Sequence, residues 1–228
     1  MAGKKALIVV DMQNDFCPPH GSLAVSGGRD LVSLVNELLN SSYFDTKVTT
    51  QDWHPANHVS FASNHPPPNN KPFESFIDVR NLVGNKPEET MKQNLWPVHC
   101  QADSDGARLV DGLEVDKVDI SIRKGMDHRV EMYSAFADSF GNLAAGEGGV
   151  TEDLAHSLKS RGVTDVFVVG LAGDYCVKYT AIDAVKAGFA ATLLEDVQRC
   201  VNPSTWEDVK KELQTAKVQL GSMADLPI

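Results

Sequence analysis

Long apolar runs are missing from this 228-residue chain. Stretches such as ALIVV at 6–10 fall far short of the roughly 20 residues needed to cross a bilayer, and Asp11 interrupts the N-terminal run that most resembles a signal sequence. A soluble, cytoplasmic protein is expected. Basic clusters are missing too, since 21 Lys and Arg face 31 Asp and Glu for a formal charge of −10. Nucleic acid and anionic membranes are thereby excluded as partners, whereas a small-molecule substrate is not. The cysteines Cys17, Cys100, Cys176 and Cys200 show neither a CxxC pair nor regular spacing. Neither a disulfide framework nor a thiolate zinc site follows, and reduced thiols are the expectation. No internal repeat or low-complexity tract is present. A homo-oligomer is compatible with such an acidic chain, and nothing in the sequence fixes the number of subunits.

What is present is an alternation of strands and helices. KKALIVV at 4–10 suits a strand covered on both faces, and Leu31, Leu34, Val35, Leu38 and Leu39 place an amphipathic helix over 28–40. Strands follow at 47–52 and 118–124, and then a helix at about 150–161 with Thr151 as its cap. The strand DVFVVG, a helix after Asp174, the strand AATLLED and a last helix from near Pro203 complete the series. This order predicts an α/β fold, a doubly wound, mostly parallel sheet with helices on both faces, within a single domain spanning 1–228. Residues 55–97 break the rhythm. They hold seven of the eleven prolines and little periodicity, and such long loops often build a site.

The stretch VFVVGLAGDYCVKYTAIDAVKAGFAATLLED at 166–196 reads as strand, tight turn, helix and strand. A dinucleotide loop needs G-x-G-x-x-G, and here Gly170, Ala172, Gly173 and Cys176 break it, while Asp174 would set a negative charge beside the phosphates. A cysteine in the first turn of a helix suits a nucleophile better, because unpaired N–H groups favour a thiolate and can hold an oxyanion. On this stretch alone the plainer reading, a small buried apolar residue, is preferred. The other strand ends shift that balance. Asp11, Asp52 and Lys124 end three strands and Cys176 follows a fourth, so all four should face the crevice where parallel sheets bind ligands. Asp52, His54 and His58 lie in TQDWHPANHVSF, and WPVHC at the far end of the proline-rich loop adds His99. Asp-x-His is a weak sign of a metal by itself, and a loop returning His99 to the same place strengthens it.

Together VDMQNDFCPPHGSL (10–23), TQDWHPANHVSF (50–61), LWPVHC (95–100), RKGMDHRVEMYSAF (123–136) and GLAGDYCVKYTAIDA (170–184) resemble the nicotinamidases of the isochorismatase-like hydrolase superfamily. The blocks occur in family order across most of the chain. The resemblance implies a catalytic triad of Asp11, Lys124 and Cys176 and an oxyanion hole from the N–H groups of Ala172 and Cys176. It also implies a cis peptide between Leu171 and Ala172. A divalent metal is implied on Asp52, His54 and His99, zinc ahead of iron or manganese, with His58 a ligand in some relatives only. By the same analogy Phe16 and Trp53 flank the substrate ring, with ordinary packing as the alternative. The implied reaction converts nicotinamide to nicotinate and ammonia through a cysteine thioester, in NAD salvage, with pyrazinamide as a further substrate.

Three features depart from the pattern. Gly173 stands where many relatives have threonine, Glu131 and Met132 where they often have an acid and a serine, and the proline-rich loop is long. The rival readings are an amidase for a carbamoyl or ureido compound, whose relatives generally lack the metal set, and a non-catalytic metal-binding or thiol redox protein.

Overall fold

The computed structural model describes residues 3–83, 86, 88–142 and 149–228. Its elements run β1 (Lys4–Val10), α1 (Leu31–Asn40), β2 (Thr46–Asp52), β3 (Phe76–Arg80), β4 (Thr90–Asn94), β5 (Ile120–Lys124), α2 (Leu154–Ser160), β6 (Val163–Leu171), α3 (Cys176–Lys186), β7 (Ala190–Arg199), α4 (Trp206–Thr215) and β8 (Gln219–Gly221). Six of the strands make one sheet in the order β5-β2-β1-β6-β7-β8, parallel throughout.

The unbroken apolar run of β1 follows from its central position, because both faces of the sheet are covered. Ala6, Ile8 and Val10 pack with Leu154 and Leu158 of α2, Val177 and Ala181 of α3, and Val209 and Leu213 of α4. Leu7 and Val9 face the opposite way, onto Leu31, Val35, Leu38 and Leu39 of α1. This is the doubly wound arrangement that the alternation of strands and helices predicts. Among the described residues no helix is long and apolar enough to cross a membrane.

Several boundaries differ from the sequence reading. α1 begins at Leu31 rather than 28, because Gly27 and Gly28 accept the N–H groups of Asp30 and Leu31 in turns that precede the helix. α2 is capped by Asp153, whose Oδ1 accepts the His156 N–H at 2.9 Å. The expected cap, Thr151, instead exchanges hydrogen bonds with the backbone of Arg123 at the end of β5. The proline-rich segment is less irregular than expected, since β3 and β4 pair as an antiparallel ribbon from Phe76 opposite Asn94 to Arg80 opposite Thr90. FIDVR and TMKQN each bury a single residue fully, too little alternation to read as strands. Residues 84, 85 and 87 of that loop lie outside the described residues. β7 continues past Asp196 to Arg199, and a register shift pairs its end with Gly170 and Leu171 of β6.

Candidate active site

Strands β5, β2, β1 and β6 are neighbours, so their carboxyl ends deliver Lys124, Asp52, Asp11 and the turn before Cys176 to one place. Asp11 leaves β1 with φ of 47°, a left-handed conformation that aspartate tolerates better than most residues. Its Oδ1 accepts the Thr50 hydroxyl at 2.6 Å. Its Oδ2 lies 2.9 Å from Lys124 Nζ yet has no aligned hydrogen-bond donor, which leaves a lone pair for another proton. Lys124 is fully buried, and its Nζ also approaches Asp52 Oδ1 (2.5 Å), the Met132 carbonyl (3.1 Å) and Cys176 Sγ (3.6 Å). Carboxylate oxygens of Asp11 and Asp52 and the Cys176 sulfur lie within 4.8 Å of one another.

The charges follow from this packing. Burial works to lower the Lys124 pKa, but Asp11 and Asp52 outweigh it and hold the ammonium charged well above the ordinary lysine range. Burial raises Asp11 to about 6, with Lys124 pulling down and Asp52 pushing up. For Asp52 the attraction of Lys124 and then His54 overcomes burial and keeps it ionised far below the usual carboxylate range. Burial also pushes the Cys176 thiol well above its ordinary value, and the pull of Lys124 does not reverse this. The resting sulfur is therefore a thiol beside an ionised carboxylate, not the thiolate that the helix N-terminus alone suggests.

The turn that carries Cys176 leaves donors free. Among the described residues the N–H groups of Ala172 and Cys176 have no acceptor, while those of Tyr175 and Val177 both bond the Ala172 carbonyl. The Leu171–Ala172 peptide is cis.

Beside this group stand the Asp-x-His residues and His99, all buried. His54 Nδ1 faces the Gly125 carbonyl at 2.8 Å and His99 Nδ1 faces the Pro97 carbonyl at 2.8 Å. In the neutral rings each Nδ1 therefore carries the proton, and Nε2 is the atom left to bind a proton or a metal. Gly125, at φ of 65°, has no room for a side chain, because a Cβ there would sit 2.5 Å from the His54 ring. One atom from each of Asp52, His54 and His99 lies within 4.8 Å of the others, and His54 Nε2 is buried without a hydrogen-bond partner. An orphaned imidazole nitrogen facing a carboxylate and a second imidazole fits a divalent cation.

The protonation preferences point the same way. Burial and then His54 push His99 down to about 4, so it stays neutral, while Glu131 and Asp52 overcome burial and raise His54 to about 9. His54 thus sits in surroundings that attract a positive charge. His58 stacks on His54 with ring centroids 4.0 Å apart, its Nε2 is likewise unpartnered, and with His54 and Glu131 it forms a second group of ligand-competent atoms. Gln13 braces the set from behind, taking the Asp52 N–H and giving its amide to the Asp52 carbonyl, both at 2.8 Å.

A narrow cleft opens between the two groups, lined by Phe16, Leu23, Asp52, Trp96, His99, Glu131, Tyr133, Ala172, Tyr175, Cys176 and Val201. Phe16 is in the wall, tilted against His99 at 5.6 Å. Trp53 is not. The Arg123 guanidinium covers its ring at 3.8 Å, because alternation along the chain turns Trp53 away from the side that Asp52 and His54 face, and the expected ring contact is withdrawn. The sequence reading missed Tyr133, Tyr175, Trp96 and Gln13. All four sit within the quoted blocks, and the signal was an aromatic or amide beside each chemically active residue.

A parallel sheet whose carboxyl edge joins a buried thiol, a carboxylate and an ammonium, next to a metal-competent Asp/His set, is the architecture of the isochorismatase-like hydrolases. The Isochorismatase domain family matches residues 5–225, and the chain belongs to that family. It is 38% identical over 206 residues to a nicotinamidase of Acinetobacter baylyi, covering 88% of this chain and 84% of that one. It superposes on the yeast nicotinamidase bound to the inhibitor nicotinaldehyde with a TM-score of 0.86 at 34% identity, over 96% of this chain and 99% of that one. The pyrazinamidase of Pyrococcus horikoshii in complex with zinc matches with a TM-score of 0.71 at 32% identity, over 96% and 99% of the two chains.

Proposed function

We propose that this protein hydrolyses nicotinamide to nicotinate and ammonia, and pyrazinamide likewise, with Cys176 as nucleophile. The observation that carries the reading is the contact of Asp11, Lys124 and Cys176 at a cleft walled by Phe16, Trp96 and Tyr175, with the Asp52, His54 and His99 set beside it. The named relatives support the same substrate.

A carboxamide is a weak electrophile with a poor leaving group, so a nucleophile, an oxyanion site and a proton donor are all needed. The Cys176 sulfur attacks the amide carbon as the unsatisfied Oδ2 of Asp11 takes the thiol proton. The carbonyl oxygen becomes an oxyanion and takes hydrogen bonds from the free N–H groups of Ala172 and Cys176. Asp11 then gives its proton to the nitrogen, the C–N bond breaks, and ammonia leaves a thioester. Water, losing a proton to Asp11, adds to the thioester carbon. The C–S bond breaks, nicotinate departs and the thiol is restored. Lys124 keeps Asp11 from rising further in pKa, and its charge balances the negative charge that moves between oxygen and sulfur.

Asp52, His54 and His99 would hold a divalent metal, zinc ahead of iron or manganese, which supplies an electrophilic anchor for the pyridine nitrogen. Phe16, Trp96 and Tyr175 enclose the ring. A single comparison tests the reading, namely ammonia release from nicotinamide, from pyrazinamide and from a ureido compound. The account expects release from the two ring carboxamides. Release from the ureido compound alone would assign the site to a different amidase.

A further inference from the structure

Asp174 is two residues before the nucleophile and one before Tyr175, the α3 N-cap, from which no side chain bonds the first turn. The Asp174 carboxylate is turned instead to the chain that follows β7. Its two oxygens accept the N–H groups of Val201 and Asn202, both at 2.9 Å, and the residue is 5% exposed. Gly173 N–H bonds the Arg199 carbonyl at 2.8 Å. A side chain at Gly173 would collide with Gln198 Oε1 at 1.8 Å. The turn 172–176 is thus pinned along one side to residues 198–202, and Val201 of that strap lines the same cavity as Ala172 and Cys176.

We propose that Asp174 is a positioning residue for the reaction, a strut that holds its own carboxylate off the α3 N-terminus and keeps the Ala172 and Cys176 N–H groups aimed at the tetrahedral oxygen. The inference rests on the amidase reading above. Released from Val201 and Asn202, the turn loses its brace, and a freed carboxylate at 174 would compete with the oxyanion for those same donors. The Asp174 side chain itself is not in the cavity wall, so the larger cost falls on the tetrahedral state.

The test compares wild type with Asp174→Ala and Asp174→Asn. For each, kcat and KM on nicotinamide, Kd for nicotinate and inhibition by nicotinaldehyde are measured. The aldehyde adds a thiol to give a tetrahedral adduct with the oxygen in the oxyanion position. Asp174→Ala should lower kcat about 100-fold and weaken the aldehyde by a similar factor, with KM and nicotinate binding changed less than about threefold. Asp174→Asn keeps one acceptor and should fall between, so the series remains readable if the alanine variant folds poorly. Equal losses for nicotinate and aldehyde, or unchanged kcat in both variants, would reduce Asp174 to a packing residue. A wild type inactive on nicotinamide would instead overturn the amidase reading itself.

Discussion

Lys124 and Asp52 are register partners on adjacent parallel strands, and their side chains meet with Nζ 2.5 Å from Oδ1. The same ammonium lies 2.9 Å from Asp11, so one buried cation joins the acid beside the thiol to the acid of the metal-competent set. Neither half of the site is electrostatically independent of the other.

Replacing Lys124 by Met should therefore leave two buried acids without their cation, at a cost of about 3–5 kcal/mol in unfolding free energy. Combining Lys124→Met with Asp11→Asn should recover part of that loss in urea titrations while restoring no activity. Equal stability of the single variant and wild type would mean that the ammonium is not the charge holding these acids together.

The pH profile follows from Asp11. Burial raises its pKa to about 6 against the pull of Lys124, and the reactive form is the carboxylate. A proton is taken up as pH falls through that value, so kcat/KM should be flat just above it and drop about tenfold per pH unit well below it. A limb near the ordinary aspartate value would place the base elsewhere.

Metal removal should act on binding. Chelation is expected to raise KM for nicotinamide at least about tenfold, with zinc restoring it, and His54→Ala or His99→Ala should purify with little metal by elemental analysis. Unchanged kinetics after complete removal would withdraw the anchoring role from Asp52, His54 and His99.

Much of this arrangement was legible from the order of residues. The strand end at Asp11 could be read because β1 is a continuous apolar run that stops abruptly at a polar residue, whereas those at Asp52 and Lys124 were read from the β-branched residues of β2 and the alternation of β5. His99 was legible only through its motif, since no local pattern tells where a loop of some forty residues returns. The β3–β4 ribbon and the bracing by Gln13 were hidden for a related reason. They are defined by partners far away in sequence, Gln13 with Asp52 and Ala107, and local periodicity holds no trace of such pairs. The state of Cys176 was read too simply, because the effect of burial on a thiol needs the packed surroundings.

The corrected place of Trp53 gives a direct contrast. Phe16→Ala removes a cavity wall and should raise KM about tenfold, whereas Trp53→Phe, whose ring rests on Arg123 outside the cavity, should change KM less than about twofold. The opposite order would return Trp53 to the substrate.

The central claim is that the sulfur of residue 176 attacks the amide carbon. Ammonia release from nicotinamide by Cys176→Ala, measured beside wild type on protein shown to be folded and metal-loaded, tests it most directly. The account predicts a loss of at least about 1,000-fold. Turnover within a few-fold of wild type would contradict it.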